Sequence, residues 1–187
     1  MASSSFAELT RALDSTLWVV TACAEGRNGG LLATFVMPAS IVETQPRVLV
    51  GIGKRHQTWE LIEASGAFAL HLLGEEHLDL ALRFGLESGR DVDKFEGQAF
   101  DTGPSGSPIL RDALGWADCR VEARMDTGDR TVYLAEVIDC RPPGGRPLTV
   151  QAWLPRLSVE QRDALAERRS RDADEDRQAI LAWRKQG

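Results

Sequence analysis

The chain has 187 residues, enough for one domain with a substantial core plus an appendage, or for two small domains. Its 22 basic and 28 acidic residues give a net charge of −6, which argues against the basic surface of a nucleic-acid-binding protein. The three cysteines, Cys23, Cys119 and Cys140, form no C-x-x-C pair, so neither a disulfide framework nor a metal site is expected. Each lies in an apolar run, which predicts that all three side chains are buried. The lack of a disulfide framework fits a reducing cytoplasm.

The first part of the chain predicts short strands separated by turns. Its first residues lack the pattern of a signal peptide, and no apolar run in the chain is long enough to span a membrane. A short helix is predicted from Ser5 as N-cap, with Glu8 three residues later. Residues 25–30 are predicted to form a turn, Pro38 to bend or interrupt the second strand, and a helix to cover about 58–65. Strands are predicted at residues 17–24, 31–42, 47–53 and 66–73.

The second part of the chain begins with a helix predicted over residues 75–84, followed by an irregular segment at 85–108. Two long strands, 115–125 and 131–140, are joined by a hairpin turn. This succession of five or six strands with inserted helices predicts a mainly β protein, a closed or nearly closed antiparallel barrel rather than a doubly wound α/β sheet.

The C-terminal segment differs in composition from the rest of the chain. Ser158 and Gln161 form a capping box, and the charged sequence up to about residue 184 predicts one or two exposed helices. We therefore predict a barrel domain at residues 1–150 and a helical extension at 151–187. An apolar stripe would dock the extension on the barrel or on a partner subunit; it consists of Leu165, Ile180, Leu181 and Trp183.

The junction between the third strand and the following helix predicts an anion site. Helix N-termini present unpaired backbone N–H groups and positive potential, and here cationic side chains adjoin them. Arg55 stands where a P-loop would need Ser or Thr after its lysine, so a P-loop is disfavoured. The alternative is that Thr58 only caps the helix and the cations are solvated. The predicted anion-binding residues are Gly53, Lys54, Arg55, His56, Gln57 and Thr58.

The other two histidines have structural explanations. His71 lies in an apolar strand and is predicted to be a hydrogen-bonded core residue. His77 lies on an amphipathic helix beside two glutamates and is predicted to be solvated. The three histidines have no metal-binding spacing.

Taken together in order, nine segments of residues 14–140 resemble the flavin reductase-like family of FMN-binding split barrels. The segments are Gly30-Leu-Leu-Ala-Thr-Phe-Val36, Ser40, Pro46-Arg-Val-Leu-Val-Gly51, Thr58-Trp-Glu-Leu-Ile62, Ser65-Gly-Ala-Phe-Ala-Leu70, Lys94-Phe95, Ser107-Pro-Ile-Leu110, Gly115-Trp-Ala-Asp-Cys-Arg-Val121 and Gly128-Asp-Arg-Thr131. The resemblance implies a six-stranded Greek-key split barrel, usually a homodimer, with a flavin near the subunit boundary.

The resemblance also implies which residues contact the flavin, which is generally FMN, although FAD is an open alternative. The phosphate would lie at residues 54–58, and the ring system would lie against Leu32, Ala33, Thr34 and Phe35. Ser40 would bond either the flavin or a local turn. Lys94 and Phe95 would lie over the flavin or belong to a solvated loop that Phe95 anchors.

Two positions depart from the common family pattern. Arg130 replaces the histidine of a Gly-Asp-His hairpin and is a candidate contact for an anionic group of the flavin or nicotinamide. Leu32 replaces the first hydroxyl of a Thr-Ala-Ser pattern.

Three functions follow as hypotheses. The first is a cytoplasmic NAD(P)H-dependent flavin reductase that supplies reduced flavin to an acceptor such as a partner oxygenase; the flavin, rather than a catalytic side chain, would carry the chemistry. The second is a split barrel that binds flavin or haem without nicotinamide turnover. The third is a dimeric scaffold with an empty pocket, in which the C-terminal helices carry the function.

Overall fold

A computed structural model of the chain describes residues 6, 8–10 and 12–186. Its main feature is one antiparallel sheet of seven strands in the order β2-β1-β5-β8-β9-β4-β3, and β6 and β7 form a separate two-stranded sheet. The mainly β prediction is therefore confirmed. The strands are β1 (Trp18–Ala24), β2 (Arg27–Ala33), β3 (Val36–Pro38), β4 (Arg47–Gly53), β5 (Ala67–Leu72), β6 (Phe100–Thr102), β7 (Pro108–Leu110), β8 (Gly115–Asp126) and β9 (Arg130–Arg141).

The short link between β2 and β3 explains why the sheet curls. These strands lie at opposite edges of the sheet, yet only Thr34 and Phe35 connect them. Two residues span only about 7 Å, so the two edges must approach each other and the sheet forms a partly closed barrel. The backbone N–H of Gly51 donates to Phe35 O at 3.1 Å and continues the pairing across this link.

The predicted strand at residues 31–42 is wrong in its limits. Glu25 and Gly26 both have positive φ and form a two-residue turn, so β2 already begins at Arg27. The polypeptide then leaves the sheet at Thr34 and re-enters it as β3. This division raises the strand count of the main sheet from the expected six to seven.

Four α-helices complete the described chain beyond residue 12: α1 (Gln57–Ser65), α2 (Leu78–Leu86), α3 (Val150–Trp153) and α4 (Val159–Trp183). Near the N-terminus, residues 6 and 8–10 are also helical, while the predicted cap Ser5 lies outside the described residues. The prediction that α2 begins at residue 75 is wrong by one turn. The backbone N–H of Gly74 donates to His77 Nδ1 at 2.8 Å, so the predicted solvated histidine is a half-buried acceptor instead.

The apolar core has two parts. One fills the barrel and includes Phe68 and Tyr133, both fully buried. The other packs α2 and the following loop against β1, and Phe84, Phe95 and Phe100 meet there in two edge-on ring contacts. This second cluster fixes the loop at residues 88–96 next to β2, which positions the site described below.

Helix α4 is a single long helix, and its predicted capping box is present. At its N-terminal end Leu165 of the predicted docking stripe packs against the second core cluster, whereas Leu181 of the same stripe is 43% exposed. At its C-terminal end Ile180 and Trp183 lie so close to Gly128 that a Cβ there would be 2.8 Å from Trp183 Cβ. The helix therefore crosses from α2 to the β8–β9 hairpin. The predicted domain boundary at residue 150 falls on α3 and stays a prediction.

The described residues contain no helix long and apolar enough to cross a membrane. They also contain no group of His, Cys, Asp and Glu side chains placed to hold a metal ion. Of the cysteines predicted to be buried, Cys119 is buried, Cys23 is half-buried and Cys140 is exposed. Cys140 lies near the end of β9, where residues 139–141 are all exposed, so the prediction is wrong there.

Candidate functional site

The turn between β4 and α1 is held against the β8–β9 hairpin. The backbone N–H of Lys54 donates to Asp129 O at 2.9 Å, and Trp59 Nε1 donates to Thr131 Oγ1 at 2.9 Å. His56 is the N-cap of α1, but its side chain makes no cap hydrogen bond. The first N–H groups of α1 therefore keep their capacity to bind an acceptor, and the helix end contributes positive potential.

Two adjoining cavities open at this helix end. The smaller has a volume of about 70 Å³ and is called the anion cavity; its lining includes Arg55, His56, Gln57, Thr58, Lys94 and Arg168. The larger, about 440 Å³, is called the wide cleft and lies between residues 26–30 and 89–95. Gly30, Gln57 and Lys94 line both. The wide cleft has the size of pockets that hold small organic ligands.

Four cationic side chains line the anion cavity. Arg55 pairs with Asp176 and with Asp172, whose Oδ1 lies 3.2 Å from Arg55 Nε. Arg90 pairs with Glu60 at 2.5 Å. The remaining two cations, Lys94 and Arg168, have no carboxylate ion pair among the described residues and instead donate to backbone carbonyl oxygens.

Lys94 is the most buried of these cations, with 5% of its surface exposed. Its Nζ donates to Gly30 O at 3.0 Å and to Phe84 O at 3.2 Å, which ties β2 to α2. Burial, together with the charge of Arg168, lowers the pKa of Lys94 to about 8. The lysine is still mostly protonated at neutral pH, but burial has removed part of the stabilisation of its charge.

His56 is neutral at physiological pH. Burial lowers its pKa to about 4, and the charge of Arg55 acts in the same direction. A neutral imidazole still has one N–H that can donate a hydrogen bond to a ligand.

Buried polar atoms without partners indicate what the site is built to bind. Gln57 Oε1 is buried and has no hydrogen-bond partner, and the same is true of Arg55 Nε, which is near Asp172 but poorly aligned with it. The guanidinium and the helix N-terminus are donors for an anion, whereas Gln57 Oε1 requires a donor such as a hydroxyl. A ligand with both a phosphate and a hydroxyl-bearing chain satisfies both requirements, so an FMN phosphate and ribityl chain fit these residues.

The structure brings together part of the predicted flavin-binding set. Arg55, His56, Gln57, Thr58 and Lys94 line the anion cavity. Thr58 is 2% exposed and lies inside α1, whose N-cap is His56, so Thr58 is not the cap of the helix as the alternative required. Gly53 lies beside His56, since a Cβ on Gly53 would be 3.3 Å from His56 Cδ2. Phe95 lines the wide cleft and is anchored in the second core cluster.

The remaining predicted residues lie outside the anion cavity. Lys54 Nζ pairs with Asp126 Oδ1 at 2.7 Å, and Arg130 Nε pairs with Asp129 Oδ2 at 2.6 Å. Ser40 Oγ accepts from the Val42 N–H at 3.0 Å, as in the local-turn alternative.

The segment from Leu32 to Phe35 also lies apart. Leu32 packs near Gly85 of α2 and Ala33 belongs to the barrel core. Thr34 and Phe35 are exposed, and the Phe35 ring covers Gly51. None of these four residues lines the anion cavity.

Sequence reasoning missed the contribution of α4. Arg168, Asp172 and Asp176 are spaced four residues apart and therefore lie on one face of the helix. Leu165, three residues before Arg168, lies on the same side and was predicted to dock. That spacing indicates a common face, but only the packing of α4 shows that it meets Arg55.

Comparisons with known proteins agree with this architecture. The family model described as "Flavin reductase like domain" matches residues 10–153. The reductase subunit HsaB of a flavin-dependent monooxygenase from Rhodococcus jostii is 40% identical over 92 residues, which cover 49% of this chain and 46% of that protein. The FMN reductase (NADH) RutF 2 from Rhizobium rhizogenes is 29% identical over 133 residues, covering 71% of this chain and 75% of that protein.

The match to a solved structure extends over most of both molecules. The flavin reductase PheA2 in its native state superposes with a TM-score of 0.70 at 25% identity, covering 82% of this chain and 95% of that one. In contrast, the chain matches only about half the length of the first curated relatives. The split-barrel prediction is confirmed. Because the family model covers residues 10–153, the chain belongs to the flavin reductase-like domain family.

Proposed function

We propose that the protein is an NAD(P)H-dependent flavin reductase that binds FMN with its phosphate in the anion cavity. The observation that carries this proposal is the cavity itself, where a helix N-terminus, the buried hydroxyl-bearing Thr58 and cationic side chains meet the unpartnered Gln57 Oε1. A charge-assisted phosphate contact contributes about 1.5–3 kcal/mol, so several of them are enough to orient a cofactor. The relatives named above support flavin as the ligand.

A bound flavin supplies the hydride-accepting atom N5, so the protein needs no nucleophile or general base of its own. Its residues bind and orient. Arg55, Thr58 and the α1 N–H groups hold the phosphate, Gln57 Oε1 accepts from a hydroxyl of the ribityl chain, and neutral His56 adds one donor. The wide cleft next to them, about 440 Å³, takes the rest of the flavin.

We propose a homodimer as the working form. Residues of β3 and the following loop expose a cluster of large apolar side chains: Phe35 is 38% exposed, Met37 57%, Ile41 101% and Val42 51%. Clusters of this kind on a surface are typical of protein interfaces. A second copy would cover them and would place Leu32, Ala33, Thr34, Phe35 and Ser40 at the subunit boundary, next to a flavin.

We place the protein in the cytoplasm and propose a partner oxygenase as the acceptor of reduced flavin. The HsaB relative is named as the reductase subunit of a monooxygenase, and this likeness supports the proposal. FMN is preferred over FAD because the anion cavity is small, about 70 Å³, which suits one phosphate group.

The test is anaerobic. Purified protein with FMN and either NADH or NADPH should bleach the visible absorbance of oxidised flavin, and riboflavin should be bound more weakly than FMN. If the protein binds FMN but neither NADH nor NADPH bleaches the flavin, the proposed reductase activity is excluded. This result would leave the second candidate, a barrel that holds a flavin or haem without nicotinamide turnover.

One observation favours that second candidate. Arg130, which replaces the family histidine, is held by Asp129 and lies 3.5 Å from Asp176, so carboxylates already occupy its guanidinium. An arginine also keeps its proton at physiological pH, so Arg130 cannot take over the proton chemistry of the histidine that it replaces. Tight retention of flavin without bleaching by NADH or NADPH would support this candidate.

A further inference from the structure

Both cations predicted to hold the phosphate are already engaged by carboxylates. Lys54 pairs with Asp126 of the hairpin and does not line the anion cavity. Arg55 lines the cavity but is held by Asp172 and Asp176 of α4. An anion entering the cavity would have to compete with two carboxylates for the charge of Arg55.

Arg168 is different because its contacts leave its charge unneutralised. Its Nη1 donates to Leu86 O at 2.5 Å and to Glu87 O at 3.3 Å, at the C-terminal end of α2. These two carbonyls fix one corner of the guanidinium. A guanidinium has five N–H donors in a planar fork, so the others remain available for an anion.

The charge of Arg168 acts electrostatically on two other residues that line the cavity, His56 and Lys94. It contributes to lowering the pKa of His56 and of Lys94. It therefore lies close to both of these side chains as well as lining the cavity itself. Asp172, one helical turn further on, also lines the cavity and pairs with Arg55 there.

The docking of α4 determines this position. The helix is held at one end by Leu165 in the second core cluster and at the other by Ile180 and Trp183 against Gly128. Between these ends, Arg168 and Asp172 can reach the cavity without any movement of the barrel. The family model ends at residue 153, so it does not include this helix.

We propose that Arg168 is a phosphate-binding residue of the flavin site, so that the C-terminal helix is part of the cofactor site rather than a passive cover. Asp172 and Asp176 compensate the charge of Arg55, and Arg168 supplies an uncompensated positive charge beside it. This inference rests on the proposed binding of FMN in the anion cavity. It adds a phosphate contact from Arg168, which lies outside residues 10–153 matched by the family model.

The test compares FMN with riboflavin, which lacks the phosphate, by titration of flavin fluorescence with wild-type protein and with Arg168→Gln and Arg168→Lys. We expect Arg168→Gln to weaken FMN binding at least tenfold and to leave riboflavin binding unchanged within twofold. Arg168→Lys, which keeps the charge but loses the fork, should recover part of the FMN affinity. The matched control is Arg169→Gln, because Arg169 is exposed on the neighbouring face of the same helix and the change in net charge is identical.

Three outcomes would overturn the inference. FMN affinity equal to wild type in Arg168→Gln would show that Arg168 does not meet the phosphate. An equal loss for FMN and riboflavin would show that Arg168 only supports the packing of α2. An equal effect of Arg169→Gln would assign any loss to general electrostatics. Failure of wild-type protein to bind FMN would instead refute the proposed function, so the two failures can be distinguished.

Discussion

Two buried polar side chains of the barrel, His71 and Thr21, have hydrogen-bond partners, whereas two buried polar atoms of the anion cavity lack them. In the barrel, His71 is fully buried: its Nδ1 contacts Val19 O at 3.1 Å, and its Nε2 accepts from the Leu110 N–H at 3.0 Å. Thr21, also fully buried, donates to Pro108 O at 2.6 Å. In the anion cavity, Gln57 Oε1 and Arg55 Nε are buried without a hydrogen-bond partner, although Arg55 Nε lies 3.2 Å from Asp172 Oδ1.

The presence or absence of hydrogen-bond partners distinguishes buried polar groups that stabilise the fold from those available to bind a ligand. A buried polar group with all its partners fixes one arrangement of the chain, and His71 and Thr21 together hold β7 against β1 and β5. A buried group without a partner costs about 1–3 kcal/mol, which a ligand can recover on binding. Changes in the barrel should therefore alter the free energy of unfolding, whereas changes in the cavity should alter the relative affinity for FMN and riboflavin.

The largest expected effect comes from His71→Leu. The change removes both hydrogen bonds and leaves the buried Leu110 N–H unpaired, so we expect a loss of about 3 kcal/mol in the free energy of unfolding in urea. The ratio of FMN to riboflavin affinity should not change. An altered ratio in a folded variant would contradict the assignment of His71 to structure.

The pH dependence of the same variant provides an independent check. Burial lowers the pKa of His71 to about 4, so between pH 6.5 and 4 the unfolded chain binds a proton that the folded chain does not. Wild-type stability should consequently fall as the pH is lowered through this range, by up to about 1.4 kcal/mol per unit from this group. The slope should be shallower in His71→Leu, with the part due to His56 remaining.

A smaller effect is expected from the titration of Lys94. Its pKa is about 8, so raising the pH above 8 removes its charge from the anion cavity. Arg168 and Glu87 are the charged neighbours that act on it, and Arg168 keeps its charge throughout. FMN affinity should weaken by up to about tenfold per pH unit above 8, equivalent to about 1.4 kcal/mol, whereas riboflavin affinity should not.

The control for this prediction is Lys94→Gln, which should bind FMN more weakly at pH 7 and lose the dependence above pH 8. Equal weakening of FMN and riboflavin with rising pH would contradict a role of the Lys94 charge in phosphate binding. It would assign the lysine to the link between β2 and α2 that its two carbonyl contacts form.

The smallest effect is expected from Gln57→Leu. This change should raise the free energy of unfolding but lower the affinity for flavin. Removing the unpartnered Oε1 should raise the free energy of unfolding of the ligand-free protein by about 1 kcal/mol. Affinity for FMN and for riboflavin should fall together, because in the proposed complex Gln57 Oε1 accepts from the ribityl chain that both ligands carry. Thermal unfolding with and without each flavin measures both effects.

Gln178→Leu is the matched control, since Gln178 is exposed on α4 and should change neither quantity. A destabilised Gln57→Leu protein with unchanged flavin affinity would show that Gln57 is an ordinary structural residue.

The elements of the barrel could be predicted because their signals are local. Alternating apolar residues and turn residues placed β4, β8 and β9 within a residue or two of their observed ends. The division of the predicted strand at 31–42 could not be seen, because it depends on where the two edges of the curled sheet meet. The burial of His77 was missed for a similar reason, since its acceptor role depends on the turn at Gly74.

The candidate site was predictable in part. The segment Gly53–Thr58 was identified from helix-end physics alone, and the structure places most of it around one cavity. The roles of its cations were not predictable, because Lys54 and Arg55 are next to each other in sequence but pair with carboxylates 72 and 121 residues away.

The sequence by itself determined a mainly β barrel and a charged C-terminal helix, and it predicted an anion site at a helix end, because strand alternation, turn residues and capping boxes act over a few residues. The tertiary structure alone decided which charges meet in the cavity. Residues 168–176 have an unremarkable charged composition, and their relation to Arg55 depends on how α4 docks between α2 and the hairpin. Contacts over such distances in sequence follow from packing of whole elements, which no local pattern encodes.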